Sequence, residues 1–67
     1  MTEILTDITA MALPYKRQAK LKYVEFDGGM KMVRLILREG TRITQLDLDA
    51  ASATALGAAL VAAATDL

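Results

Sequence analysis

The sequence predicts an α+β fold in which a three-stranded antiparallel β-meander is followed by one C-terminal α-helix packed on the sheet. Two observations carry this prediction. Residues 19–48 contain three runs rich in branched and aromatic residues, separated by "DGG" and "EG", and such runs are typical of β-hairpins. Residues 50–65 consist mainly of alanine and leucine, which favour helix.

The chain is short enough to form a single domain, residues 1–67. It divides into an N-terminal arm (1–14), the meander (15–48) and the helix (49–67). In the arm, apolar residues recur at a helical spacing, and these are Ile4, Leu5, Ile8, Met11 and Ala12. The β-branched Thr6 and Thr9 favour extended backbone instead, and Pro14 ends any helix. We interpret residues 1–13 as an extended or irregular arm with an optional short helix.

The three strands are predicted over residues 19–26, 31–38 and 42–48. A loop at 28–30 and a turn at 39–40 would pair Tyr23 with Leu35 and Leu35 with Thr44. Because side chains alternate along a strand, one side of the sheet then becomes apolar. We call this side the leucine face, and it consists of Leu21, Tyr23, Val33, Leu35, Leu37, Leu46 and Leu48.

The helix is predicted over residues 50–65, with Asp47 or Asp49 accepting hydrogen bonds from its first turn. The side expected to lie on the leucine face consists of Ala53, Leu56, Gly57, Leu60, Ala64 and Leu67. Gly57 costs about 1 kcal/mol relative to alanine inside a helix, and a close contact would offset that cost. Helix-on-helix packing between subunits and close packing on the chain's own sheet are both compatible with this pattern.

The other side of the sheet, which we call the mixed face, combines basic, polar and apolar side chains. Its residues are Lys20, Lys22, Val24, Phe26, Met32, Arg34, Ile36, Arg38, Ile43, Gln45 and Asp47. Large apolar side chains in such a position indicate a contact: a homodimer interface, cover by the N-terminal arm, or a platform for a ligand. The arm would act through Ile4, Leu5 and Ile8. The candidate interface residues are Phe26, Met32, Arg34, Ile36, Arg38, Ile43 and Gly57.

Charge is unevenly distributed along a chain whose formal net charge is zero. Residues 16–42 hold all eight basic residues and three acidic ones, a net charge of +5, and both ends are acidic. This region predicts either a nucleic-acid surface or solvated strands whose lysines protect the sheet edges. The strand–strand–strand–helix order of residues 19–65 resembles that of the single-stranded-DNA-binding transcriptional coactivators, in element order alone. That resemblance implies a regulator that binds nucleic acid through residues 16–42, although such surfaces usually carry more aromatic residues.

The chain contains no cysteine and no histidine. Their absence excludes disulfides, Ser–His–Asp and Cys–His catalysis, and the commonest transition-metal ligands. The glycines after Asp27 precede a strand, which indicates a turn and not a phosphate-binding loop. No catalytic, cofactor-binding or metal-ligating residue is therefore assigned, and no enzyme activity is expected.

The remaining composition predicts a homodimer. Small domains are marginally stable alone, and oligomerisation is the remaining source of extra stability. The apolar run from Ala50 to Ala64 has 15 residues, short of the roughly 20 that span a bilayer. We expect a cytoplasmic, non-enzymatic accessory protein that acts as a homo-oligomer and binds another protein, without a membrane or cofactor.

Overall fold

The computed structural model describes residues 2–67. Four antiparallel strands form one sheet in the order β1-β2-β3-β4, and one helix follows them. The elements are β1 (Ile4–Leu13), β2 (Arg17–Glu25), β3 (Lys31–Glu39), β4 (Arg42–Leu48) and α1 (Ala50–Thr65). The α+β class, the antiparallel meander and the C-terminal helix are confirmed.

The prediction of three strands is wrong, because the N-terminal arm, expected to be extended or irregular with an optional short helix, forms a fourth strand. β1 pairs antiparallel with β2 along its length. A β-bulge lies between Asp7 and Thr9, and the extra residue changes which side the following side chains take. Ile4 and Met11, seven positions apart, consequently share the side of the leucine face. The bulge explains the near-helical spacing of the apolar residues in this segment.

Both predicted hairpin registers are wrong by two residues. Tyr23 pairs with Val33 instead of Leu35, and Leu35 pairs with Leu46 instead of Thr44. The turns lie at 27–29 and 40–41, each displaced by one residue from its predicted position. A one-residue displacement of a turn moves the pairing by two residues, which keeps each side chain on its side of the sheet. The leucine face and the mixed face therefore have their predicted strand residues.

The turns differ in how well their residues suit the backbone. Gly28 and Gly29 have φ of 89° and 85°, a left-handed conformation that glycine adopts without steric cost. Tyr15 and Lys16 in the β1–β2 turn also have positive φ, 63° and 60°, although both carry a Cβ atom. The β1–β2 turn is therefore the strained one.

A single residue, Asp49, connects β4 to α1. Its carboxylate Oδ1 accepts a hydrogen bond of 2.7 Å from the backbone N–H of Ser52. Hydrogen bonds from the side chain and the backbone of Ser52 lower the pKa of Asp49. Asp49 is thus the N-cap, whereas Asp47 points to Arg34.

The fold is a single-layer sheet with little interior. Among residues 2–67, only Ala19 and Val24 are buried, and Val24 alone reaches 0 % exposure. The accessible surface is 5445 Å², whereas a compact monomer of this mass exposes about 4,100 Å². The radius of gyration is 13.4 Å, against about 11 Å for a compact domain of this length. The chain exposes about 1,300 Å² more surface than its size requires.

Candidate interaction surfaces

Helix α1 is apolar on all sides. No residue from Ala50 to Thr65 is charged. The hydroxyl of Thr54 donates to the carbonyl of Ala50 at 2.8 Å, and the hydroxyl of Thr65 donates to that of Val61 at 2.9 Å. These bonds direct the two threonine hydroxyls onto the helix backbone. Beyond its first turn, the helix therefore presents mainly apolar side-chain groups at its surface.

The helix moves away from the sheet along its length. Ala53 is half-buried, Leu56 is 41 % exposed and Leu60 is 63 % exposed. None of the described helix residues 50–65 is buried, so the expected cover of the leucine face by Leu56 and Leu60 is not formed within the chain. The physical reason is the one-residue connection at Asp49, because a helix that folds back over its strand usually follows a loop of about 2–6 residues.

Gly57 lies in open space within the single chain. A Cβ atom added there would have no atom within 4 Å among residues 2–67, apart from its neighbours and the helix backbone. Close packing of Gly57 on its own sheet, one of the two predicted explanations, is therefore absent from the structure. Contact between subunits, the other predicted explanation, stays a prediction.

The leucine face has an apolar centre and charged ends. Leu21, Leu35 and Leu46 are paired across its middle. Strand β1 adds Ile4, Met11 and Leu13 to the same side. Exposure of Leu37 is 37 % and that of Leu46 is 47 %. An apolar centre with a polar rim is the usual anatomy of protein–protein interfaces.

Charged residues occupy both ends of the leucine face. At one end Glu25 is paired with Lys31 across β2 and β3. At the other end Arg17 forms an ion pair with Glu39, whose neighbour on β4 is Arg42. The polar groups thus lie at the ends of the strands, and the middle of the face offers only apolar side chains and threonines.

The mixed face has the opposite arrangement, with charge at its centre. Arg34, whose side chain is only 11 % exposed, donates to Asp47 through Nε at 2.7 Å and Nη2 at 3.1 Å. Its Nη1 lies 3.3 Å from the Glu3 carboxylate. The hydrogen bonds to Asp47 raise the pKa of Arg34 above its usual range and lower the pKa of Asp47. Lys22 pairs with Asp7 at 3.4 Å.

The structure brings most of the predicted interface residues together on the mixed face. Met32, Arg34, Ile36 and Arg38 alternate along β3. Ile43 pairs with Arg38 on the same face. The other two predicted interface residues lie outside the strands. Phe26 directly follows the last residue of β2, and Gly57 is on α1.

The N-terminal segment reaches over the mixed face through Glu3, which pairs with Arg34, and its apolar residues do not cover that face. It extends the sheet at its edge, where Leu5 pairs with Val24 and stays exposed. Cover by Ile4, Leu5 and Ile8, the second predicted interpretation, is therefore wrong, because a paired strand lies beside a face and not over it. The exposed apolar surface that the sequence did not predict is the leucine face, which was expected to lie under the helix. The absence of any charge on α1 was the available signal.

Within residues 2–67, no group of three or more Asp or Glu residues lies close enough to hold a metal ion. A shallow depression on the mixed face is lined by Lys20, Ile36, Arg38 and Ile43, together with two further polar residues. No helix in the described part of the chain is long and apolar enough to cross a bilayer.

The fold and these surfaces define a small α+β domain with a single-layer sheet and an exposed apolar helix. The chain belongs to a family described as "Family of unknown function (DUF6967)", whose model matches residues 2–66. No curated protein and no solved structure matches the chain.

Proposed function

We propose that this protein is a non-enzymatic interaction protein that acts as a homo-oligomer and binds another protein. The observation that carries the proposal is the state of α1, which has no charged residue and no buried residue within the described range 50–65. A helix that is apolar all round is ordinarily buried in a larger structure. Self-association would cover it and would also reduce the excess surface of the chain.

The mixed face supports the binding of another protein. Ile36 and Ile43 line its shallow depression beside Lys20 and Arg38. These two basic side chains form no ion pair with any residue from 2 to 67. A partner segment that combines apolar and acidic side chains would match this chemistry.

Nucleic-acid binding is the second candidate, and Lys20 and Arg38 favour it because neither forms an ion pair among residues 2–67. Against this, Arg17, Lys22 and Arg34 are paired with carboxylates of the same chain. The two candidates differ in salt dependence, because each phosphate contact releases a counterion. Titration of a labelled single-stranded oligonucleotide at low and at physiological salt should detect binding only if the second candidate is correct.

Light scattering and sedimentation over micromolar to hundred-micromolar concentrations test the proposed self-association. We expect a species of twice the 7.2 kDa chain mass. Leu60→Asp should shift it to the monomer, because a carboxylate cannot be buried among leucines without a large cost. Ala58→Asp changes charge equally on the opposite side of the helix and serves as the control. A wild-type protein that stays monomeric throughout would contradict the proposal.

A further inference from the structure

We propose that helix α1 of a second copy of this chain occupies the leucine face, with Leu56 and Leu60 against Leu35, Leu37 and Leu46. The exchange is reciprocal, so that each sheet receives the helix of its partner. The inference rests on the proposed self-association and names the surfaces that meet.

Two complementary apolar surfaces of one chain fail to meet each other. Leu60 is 63 % exposed on the helix, and Leu46 is 47 % exposed on the sheet. The one-residue connection at Asp49 directs α1 away from the sheet, since exposure rises along the helix. A second copy can satisfy both surfaces without any change in this connection.

The helix and the face match in length. The 16 residues of α1 extend about 24 Å at 1.5 Å per residue. Strands β2 and β3 have nine residues each, which corresponds to about 30 Å at 3.3 Å per residue. A helix laid on the leucine face would therefore reach along most of its apolar centre.

The two surfaces also share the position of their charged residues. The helix has an acid at each end, Asp49 and Asp66, and no charge between them. The leucine face has charged residues at both ends, Lys31 beside Glu25 at one and Arg42 beside Glu39 at the other, with an apolar centre between. Neither basic residue forms an ion pair among residues 2–67.

The excess surface has the size that such a dimer requires. Each chain exposes about 1,300 Å² more than a compact monomer, so two chains could together bury about 2,600 Å². Obligate homodimer interfaces bury about 2,000–5,000 Å². Because each copy offers one helix and one face, a two-fold symmetric exchange leaves neither surface open.

Gly57 would let a strand of the partner's leucine face approach the backbone of α1 closely. It lies beside Leu56 and one turn before Leu60 and Val61 on α1. The space around it is open within the chain. A partner strand can approach the helix backbone at this point, which a larger side chain would prevent.

Site-directed cross-linking tests the exchange, because the natural chain contains no cysteine. A chain carrying Leu60→Cys is mixed with a chain carrying Leu46→Cys, unfolded, refolded together and then oxidised. We expect an intermolecular disulfide between the two chains in most of the mixed dimer. Ala58→Cys mixed with Leu46→Cys is the matched control, since residue 58 lies on the opposite side of the helix, and it should give only background cross-linking.

Charge variants give the second readout. Leu46→Asp and Leu60→Asp should each weaken self-association by about 100-fold or more, as expected for the centre of an interface. Because Leu60 is largely exposed in the single chain, Leu60→Asp should keep its helix by circular dichroism. Gln45→Asp, which is next to Leu46 but pairs with Ile36 on the opposite, mixed face, is the control on the sheet.

The outcomes separate this inference from the proposed function. A wild-type monomer would overturn both. A dimer that cross-links through Gly57→Cys to Gly57→Cys, but not through residues 60 and 46, would overturn the exchange and leave self-association in place. A dimer that Leu46→Asp does not weaken would likewise overturn the exchange.

Discussion

At the scale of single residues, Gly57 has the clearest consequence. It stands in the middle of a helix, where glycine costs about 1 kcal/mol relative to alanine. Nothing among residues 2–67 lies where its side chain would be. The glycine is therefore unfavourable for the single chain, and the proposed contact with a second copy would offset its cost.

Gly57→Leu is expected to abolish the dimer and to keep the helix. A leucine is favourable for helix formation but would fill the space where the partner approaches. Sedimentation at graded concentrations measures the first effect, and circular dichroism measures the second. Ala58→Leu, on the other side of α1, is the control. Unchanged self-association of Gly57→Leu would show that the position is exposed in the assembly.

The ion pair of Asp47 with Arg34 predicts a loss of stability at acid pH. The folded-state pKa of Asp47 is lowered, chiefly by the hydrogen bond from Arg34. The pKa of Asp49 is lowered by hydrogen bonds from Ser52. A lowered carboxylate pKa contributes stability that is present above the unfolded value of about 4 and is lost as pH falls through the folded value.

Denaturant unfolding at a series of pH values should therefore show a decline below about pH 4. Between about pH 6 and 7 we expect little change, because the chain has no histidine. Asp47→Asn should reduce the acid dependence. Arg34→Gln removes the same pair from its other side and should reduce it similarly. An acid decline that both variants leave intact would assign it to other carboxylates.

At the scale of elements, the strands are determined by turns and by one bulge. Glycine occupies the turns of the second and third hairpins, where positive φ suits it. The β1–β2 turn places Tyr15 and Lys16 in the same region of backbone space. A non-glycine residue there costs about 1–2 kcal/mol of folding stability. A substitution in this turn can therefore recover stability that the other two turns do not lose.

Lys16→Asn is expected to stabilise the fold by about 0.5–1 kcal/mol, because asparagine tolerates positive φ better than lysine does. The measurement is urea unfolding at one fixed protein concentration. Lys20→Asn, which places the same change within β2, should destabilise by up to about 1 kcal/mol, since asparagine disfavours strands. Equal effects of the two variants would mean that backbone strain in the turn is not relieved.

At the scale of the whole molecule, the single chain leaves much apolar surface exposed. Both faces of its sheet are partly exposed. Its helix has no buried residue in the described range 50–65. The chain exposes about 1,300 Å² more than a compact monomer of its mass, although its strands and its helix are regular. Stability is accordingly expected to depend on the partner copy.

The thermal unfolding midpoint should rise with protein concentration, because association and folding are linked by mass action. Circular dichroism melts over a hundredfold range of concentration measure this dependence. Leu60→Asp should melt at a lower temperature that does not change with concentration, whereas Ala58→Asp should behave as the wild type does. A concentration-independent midpoint for the wild type would contradict linked folding and assembly.

Much of this fold could be predicted from the sequence, and the failures have identifiable causes. The strand at residues 4–13 was missed because the bulge near Ile8 interrupts the alternation on which strand prediction depends. The registers were displaced because "DGG" and "EG" each allow more than one turn position. The candidate interface on the mixed face remains a prediction, and the leucine face was taken for a core.

Hydrophobic alternation alone predicts which side of the sheet each residue of β2, β3 and β4 occupies, because alternation survives a displacement of two residues. The sequence also predicts that α1 begins at residue 50, although it leaves both Asp47 and Asp49 open as the cap. The structure is needed to assign the cap to Asp49 and to show that α1 leaves its own sheet uncovered. That outcome depends on the direction in which a one-residue connection turns the backbone, which neither hydrophobic alternation nor helix propensity encodes.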